Sequence, residues 1–169
     1  MTKYICIEGM DGTGKTTLVN LLKETLESMG NKVLVVEEPG TSHNELTMNL
    51  RRFALDKANE KSIEGWARET IFLATRVITL TNVVFANFKN YDYIIQSRGI
   101  LTGLSYGAAF GLNLETMKML NSAIISSTGK KNKKTGLNNL YDKLIMLKNT
   151  KPIESLERAK KKAEFNGEG

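Results

Sequence analysis

Eight residues, Gly9-Met10-Asp11-Gly12-Thr13-Gly14-Lys15-Thr16, constrain this chain more than any other segment. They satisfy the pattern G-x-x-x-x-G-K-[ST] in full, and they lie between two apolar stretches of different period. Upstream, Ile5 and Ile7 belong to a short β-branched run over residues 3–8 that reads as a strand. Downstream, Leu18, Leu21, Leu22, Leu26 and Met29 recur at helical spacing from Lys15 to Met29, with Gly30 as the stop. A strand that turns through glycines into a helix makes a phosphate site, because the backbone can wrap an anion closely and the helix N-terminus aims its amides at it. In this pattern Gly9, Gly12, Thr13 and Gly14 supply the cradle and Thr17 opens the helix. Lys15 supplies a point charge for the β- and γ-phosphates, and Thr16 a hydroxyl for magnesium. Asp11 adds negative charge beside phosphates, which predicts a positively charged partner such as an arginine.

The remaining chain alternates between strand and helix signals. Lys32–Glu37 reads as a strand, Glu38-Pro39-Gly40-Thr41 as a turn, and residues 45–57 as short amphipathic helix. A long helix is expected over 62–88, with Ile71, Phe72, Thr75, Ile78, Thr79 and Val83 on related faces. Tyr91–Gln96 is a third strand, residues from Gly103 begin a helical region weakened at Gly107 and Gly111, Leu144–Leu147 is a fourth strand, and 153–165 a last helix. Between them, residues 127–136 carry small residues and four lysines and read as a flexible basic loop. The alternation predicts an α/β fold with a mostly parallel sheet flanked by helices, and residues 1–169 form one domain.

With 169 residues, 41% of them hydrophobic, the chain can bury one substantial core. A formal charge of +6 favours anionic ligands without choosing among nucleotides, nucleic acid and membrane surfaces. Cys6 is the single cysteine and sits in an apolar run, so it is expected as a buried core thiol. No N-terminal segment reads as a secretory signal and no run reaches roughly 18 apolar residues, which predicts a cytoplasmic protein without a membrane span. His43 is expected in solvent or as a cap and Trp66 in packing; neither has the neighbours of a metal centre.

The motifs Glu8–Thr17, Glu38-Pro39-Gly40, Phe72-Leu73-Ala74-Thr75-Arg76, and Ser97-Arg98 followed by Tyr106 together resemble those of thymidylate kinases, within the P-loop nucleoside monophosphate kinases. The resemblance implies a three-layer P-loop NTPase fold. It also implies transfer of the ATP γ-phosphoryl group, with Mg2+, to a deoxynucleoside monophosphate, giving ADP and a diphosphate. It implies Asp11, Lys15 and Arg98 as catalytic residues. Glu38, Pro39, Arg51, Phe72, Arg76, Arg98 and Tyr106 are implied around the acceptor: Arg51 and Arg98 on its phosphate, Phe72 under its base and Tyr106 against the deoxyribose. A homodimer through another part of helix 62–88 is implied as well.

The sequence departs from the family pattern at three places. Ser97 stands where the family usually has aspartate. Gly107 stands where it usually has glutamine, which predicts empty volume beside the base and broader base acceptance. The family's strand and terminal helix beyond Leu156-Glu157-Arg158-Ala159 are expected to be absent. The competing reading, a nucleotide-binding interaction protein or a nucleic-acid-associated P-loop protein, draws on the lysine tracts. Against it stand the missing Asn-Lys-x-Asp guanine signature and a second small pocket in place of one basic stripe.

Overall fold

Residues alternate between two cores along each central strand, as a pleat of period two requires. Tyr4, Leu34, Val36 and Ile94 enter one buried cluster, while Ile7, Val33 and Ile95 enter the other. The computed structural model describes residues 1–128 and 137–165. Its strands are β1 (Lys3–Gly9), β2 (Val33–Glu37), β3 (Tyr93–Ser97) and β4 (Lys143–Leu147), and they form one sheet in the order β2-β3-β1-β4 with every pairing parallel. The helices are α1 (Lys15–Ser28), α2 (Glu45–Leu55), α3 (Trp66–Ile78), α4 (Ile100–Ala109), α5 (Leu114–Thr128) and α6 (Pro152–Phe165). Leu18, Val19, Leu22 and Leu26 of α1 cover one face of the sheet. Leu104, Met117 and Ile125 of α4 and α5, with Leu80, Val83 and Val84, cover the other. The parallel sheet flanked by helices expected from the alternation is present, in the three layers that the family resemblance implies.

Four local expectations need correction. Leu21 and Met29 are 59% and 71% exposed, and Val19 takes the inward place in α1. The long helix begins at Trp66, behind Gly65 with φ 49, and widens into a π-helical stretch over Thr79–Val84. Trp66 itself is exposed. Ser127 and Thr128 complete α5, and residues 129–136 of the expected basic loop lie outside the described residues.

Within the run Trp66–Asn87 an 18-residue window reaches a mean hydropathy of 1.3, enough by length and composition alone to cross a membrane, although Arg68, Glu69 and Arg76 interrupt the run. Here Leu73, Leu80, Val83 and Val84 are buried, and Arg76 is ion-paired inside the protein, so in this fold the run is a core helix. Cys6 is buried and free, and burial, with Glu8 and Glu38 nearby, pushes its thiol far above the ordinary range.

Candidate active site

The loop after β1 has the backbone its glycines predict. Gly9, Gly12 and Gly14 have φ of 153, 74 and 90, all in the region disfavoured for other residues. Gly12 has a second reason to lack a side chain, since a Cβ would overlap the Ser155 carbonyl where α6 lies against the loop. Helix α1 starts without a side-chain cap and without an acidic residue in its first turn, leaving its N-terminal amides open to an anion. Lys15 is 7% exposed, and its Nζ donates to the carbonyls of Gly9 at 2.8 Å and Met10 at 2.6 Å. Thr16 and Thr17 are exposed on the first turn. Beside Thr13, a polar recess of about 270 Å³ is walled by Lys148, Lys151, Ser155 and Arg158.

Arg98 follows β3, the immediate neighbour of β1, and has a left-handed backbone with φ 63. That conformation costs a non-glycine residue about 1–2 kcal/mol and persists only where its surroundings over-determine it. Three contacts do so. The Arg98 amide donates to Ile7 O at 2.9 Å, and its carbonyl accepts from the buried Gln96 amide at 2.9 Å. Its guanidinium pairs with Asp11, whose other oxygen accepts from the Tyr106 hydroxyl at 3.1 Å. Burial and Asp11 push the Tyr106 phenol upward against the opposing pull of Arg98, which keeps it a donor. The arginine that Asp11 called for is therefore Arg98, with Lys15 Nζ farther off at 3.9 Å.

A cavity of about 320 Å³ opens beyond this pair. All seven sequence-selected acceptor residues line it, and Asp11 with them: Glu38, Pro39, Arg51, Phe72, Arg76, Arg98 and Tyr106. Arg51 reaches the Pro39 carbonyl at 2.9 Å. Arg76 is 3% exposed, with Nε on Glu38 at 2.8 Å and Nη1 on Asn121 at 2.6 Å. Gly103 lets it lie against α4, since a Cβ there would stand 2.8 Å from Nη2. Burial pushes the Glu38 carboxyl up, and Arg76 holds it back.

Gly107 is not empty space: a Cβ there would overlap the Sδ and Cε of Met117, because α5 packs against α4 at this point. A glutamine would have to displace that methionine. The sequence reading quoted Glu8 within a motif but gave it no role; its buried carboxylate accepts from the Leu101 amide at 3.0 Å and caps α4. It missed Asn121, 45 positions from Arg76, for which no local signal exists. Glu69, by contrast, could have been found from its three-residue spacing to Phe72.

Comparison with known proteins points the same way. The family model "Thymidylate kinase" matches residues 7–168. A thymidylate kinase of Thermosipho africanus is 34% identical over 119 residues, 70% of this chain and 57% of that protein. One of Nostoc punctiforme is 33% identical over 120 residues, covering 70% and 56%. The chain thus spans little more than half the length of these curated relatives. The crystal structure of thymidylate kinase from Ehrlichia chaffeensis superposes with a TM-score of 0.71 at 19% identity, covering 99% of this chain and 89% of that one, and shows the shared fold. On the match over residues 7–168 and the two-sided loop geometry that accompanies it, the chain belongs to the thymidylate kinase family.

Proposed function

We propose that the chain transfers the γ-phosphoryl group of ATP to the phosphate of a deoxynucleoside monophosphate, dTMP first among them, giving ADP and a nucleoside diphosphate. The observation that carries this reading is the Asp11–Arg98 pair, which ties the phosphate loop after β1 to the cavity after β3. Two phosphate-binding groups at adjacent strand ends can align an acceptor oxygen with the γ-phosphorus in one complex. No protein nucleophile is required. The donor phosphates lie in the loop amides, with Lys15 leaving the Gly9 and Met10 carbonyls for the transferring oxygens. Arg98 forks the acceptor phosphate, held in direction by Asp11. Phe72 carries the base, Arg51 assists at the phosphate, and Tyr106 stands against the sugar. Glu38 and Pro39 form the wall that fixes Arg76 and Arg51.

The exposed Thr16 hydroxyl fits a magnesium ion that takes most of its remaining ligands from phosphate oxygens and water. When bound, the ion would neutralise charge developing between the β- and γ-phosphates. No cluster of three metal-ligating side chains occurs among the described residues, which suits an ion carried by the nucleotide.

ADP release, measured by a coupled assay over dTMP, dUMP, dCMP, dGMP and dAMP, is expected to depend on the acceptor and to be fastest with dTMP. Absence of acceptor-dependent release from folded protein would overturn the assignment. We also propose a homodimer through the outer face of α3, where Trp66, Thr70 and Ala74 are exposed at four-residue spacing. Light scattering should give twice the 18.8 kDa chain mass, and the chain mass alone at working concentration would reject the assembly.

A further inference from the structure

Glu69 takes no part in the scheme above, yet it lines the same cavity. It is 5% exposed, and its Oε1 is buried without a hydrogen-bond partner among the described residues. Glu69 stands in the first turn of α3, yet no amide of that turn donates to its Oε1. Glu69, Phe72 and Arg76 fall at i, i+3 and i+7, so one face of α3 presents all three to the cavity. Burial pushes the Glu69 carboxyl upward, Arg76 opposes this, and Glu38 adds to the rise. A buried carboxyl whose Oε1 has no partner is costly in either protonation state, and a ligand N–H at that oxygen relieves the cost.

The neighbouring Arg76 offers only donors, and its plane is fixed by the bonds to Glu38 and Asn121. A base edge that meets both residues must carry an N–H beside an acceptor atom. The ring N–H and carbonyl of thymine satisfy this, as do the amino group and ring nitrogen of cytosine. We propose that Glu69 is a specificity-determining residue of the acceptor cavity, its carboxyl accepting the N–H of a nucleobase edge whose adjacent acceptor atom faces Arg76. The inference rests on the acceptor reading given under Proposed function.

Calorimetric binding of monophosphates without ATP tests it independently of phosphoryl transfer. The probes are dTMP with its N3-methyl analogue and dCMP with its N4,N4-dimethyl analogue. In the pair whose parent binds more tightly, the unsubstituted protein is expected to prefer the parent by about tenfold or more. Glu69→Leu, which keeps bulk without a polar group, should remove about tenfold of that preference by weakening the parent, while Glu69→Gln retains a carbonyl acceptor and most of the preference. Loss in the thymine pair assigns the ring N–H, and loss in the cytosine pair the amino group. If the leucine variant does not fold, Glu69→Ser removes the reach of the carboxyl and should show the same loss. Undiminished discrimination in a folded leucine or serine variant overturns this inference alone. Binding of no monophosphate by the unsubstituted protein overturns the acceptor reading, and this inference with it.

Discussion

Lys15→Ala is expected to lower acceptor-dependent turnover by about 100- to 1,000-fold, the usual loss when a preorganised charged donor is taken from a phosphoryl-transfer site. The reason is geometric as well as electrostatic. Lys15 is 7% exposed, and its Nζ lies within hydrogen-bond distance of two loop carbonyls. The cation is thus held over the cradle before any nucleotide arrives and needs only to exchange carbonyl partners for phosphate oxygens. The variant should remain folded, because the first turn of α1 and the apolar residues beneath it are untouched. Thermal unfolding and single-turnover rates at saturating ATP and acceptor check both halves of this expectation. Near-normal turnover would remove Lys15 from the chemistry, and a collapsed melting transition would make the loss structural.

The proposed donor half of the site is legible in the sequence because all its information is local. Eight consecutive residues specify the turn, the amides and the cation, and the flanking periods of two and 3.6 place them between β1 and α1. The proposed acceptor half depends on contacts between distant positions. Asp11 and Arg98 meet across 87 positions, and Glu38 and Arg76 across 38. Charge balance suggested that Asp11 needed a cation, and resemblance to family motifs supplied the candidates, but no periodicity indicates that Arg76 is 3% exposed and bonded on two sides.

The missed features have similar causes. The helical region expected from Gly103 is two helices, α4 and α5, broken at Gly111, whose φ of 80 ends the first. Gly107 read as missing volume because the sequence does not show that Met117 fills it. Leu21 read as core because helical spacing defines a face and not its width; the observed face centres on Val19. Ser97, in the aspartate position of the family, is half-buried at the end of β3 opposite Ile7. Asp11 already supplies the carboxylate that directs Arg98 there.

Arg98→Ala is expected to reduce kcat/KM for the acceptor by about 1,000-fold, in the range seen when an arginine that stabilises a transferring phosphoryl group is lost. ATP affinity should change little, because the side chain points from the end of β3 toward Asp11 and the acceptor cavity, while the loop amides and Lys15 remain. Asp11 would lose the guanidinium but keep Lys15 Nζ at 3.9 Å, and its side chain is 45% exposed, so water can take the place of Arg98 and the loop should keep its shape. Lysine cannot substitute fully. It carries the charge without the planar fork that engages two phosphate oxygens and one carboxylate together, so Arg98→Lys should recover only part of the loss. The defect should be nearly the same for every accepted base, because the phosphate is common to all of them, whereas Phe72→Ala should alter the ranking of bases. Measuring kcat and KM for both substrates in the three variants separates these expectations. A selective loss of ATP affinity in Arg98→Ala would place this arginine on the donor, and a loss of melting temperature alone in both alanine variants would mean that the cavity between β3 and α3 is not the acceptor site.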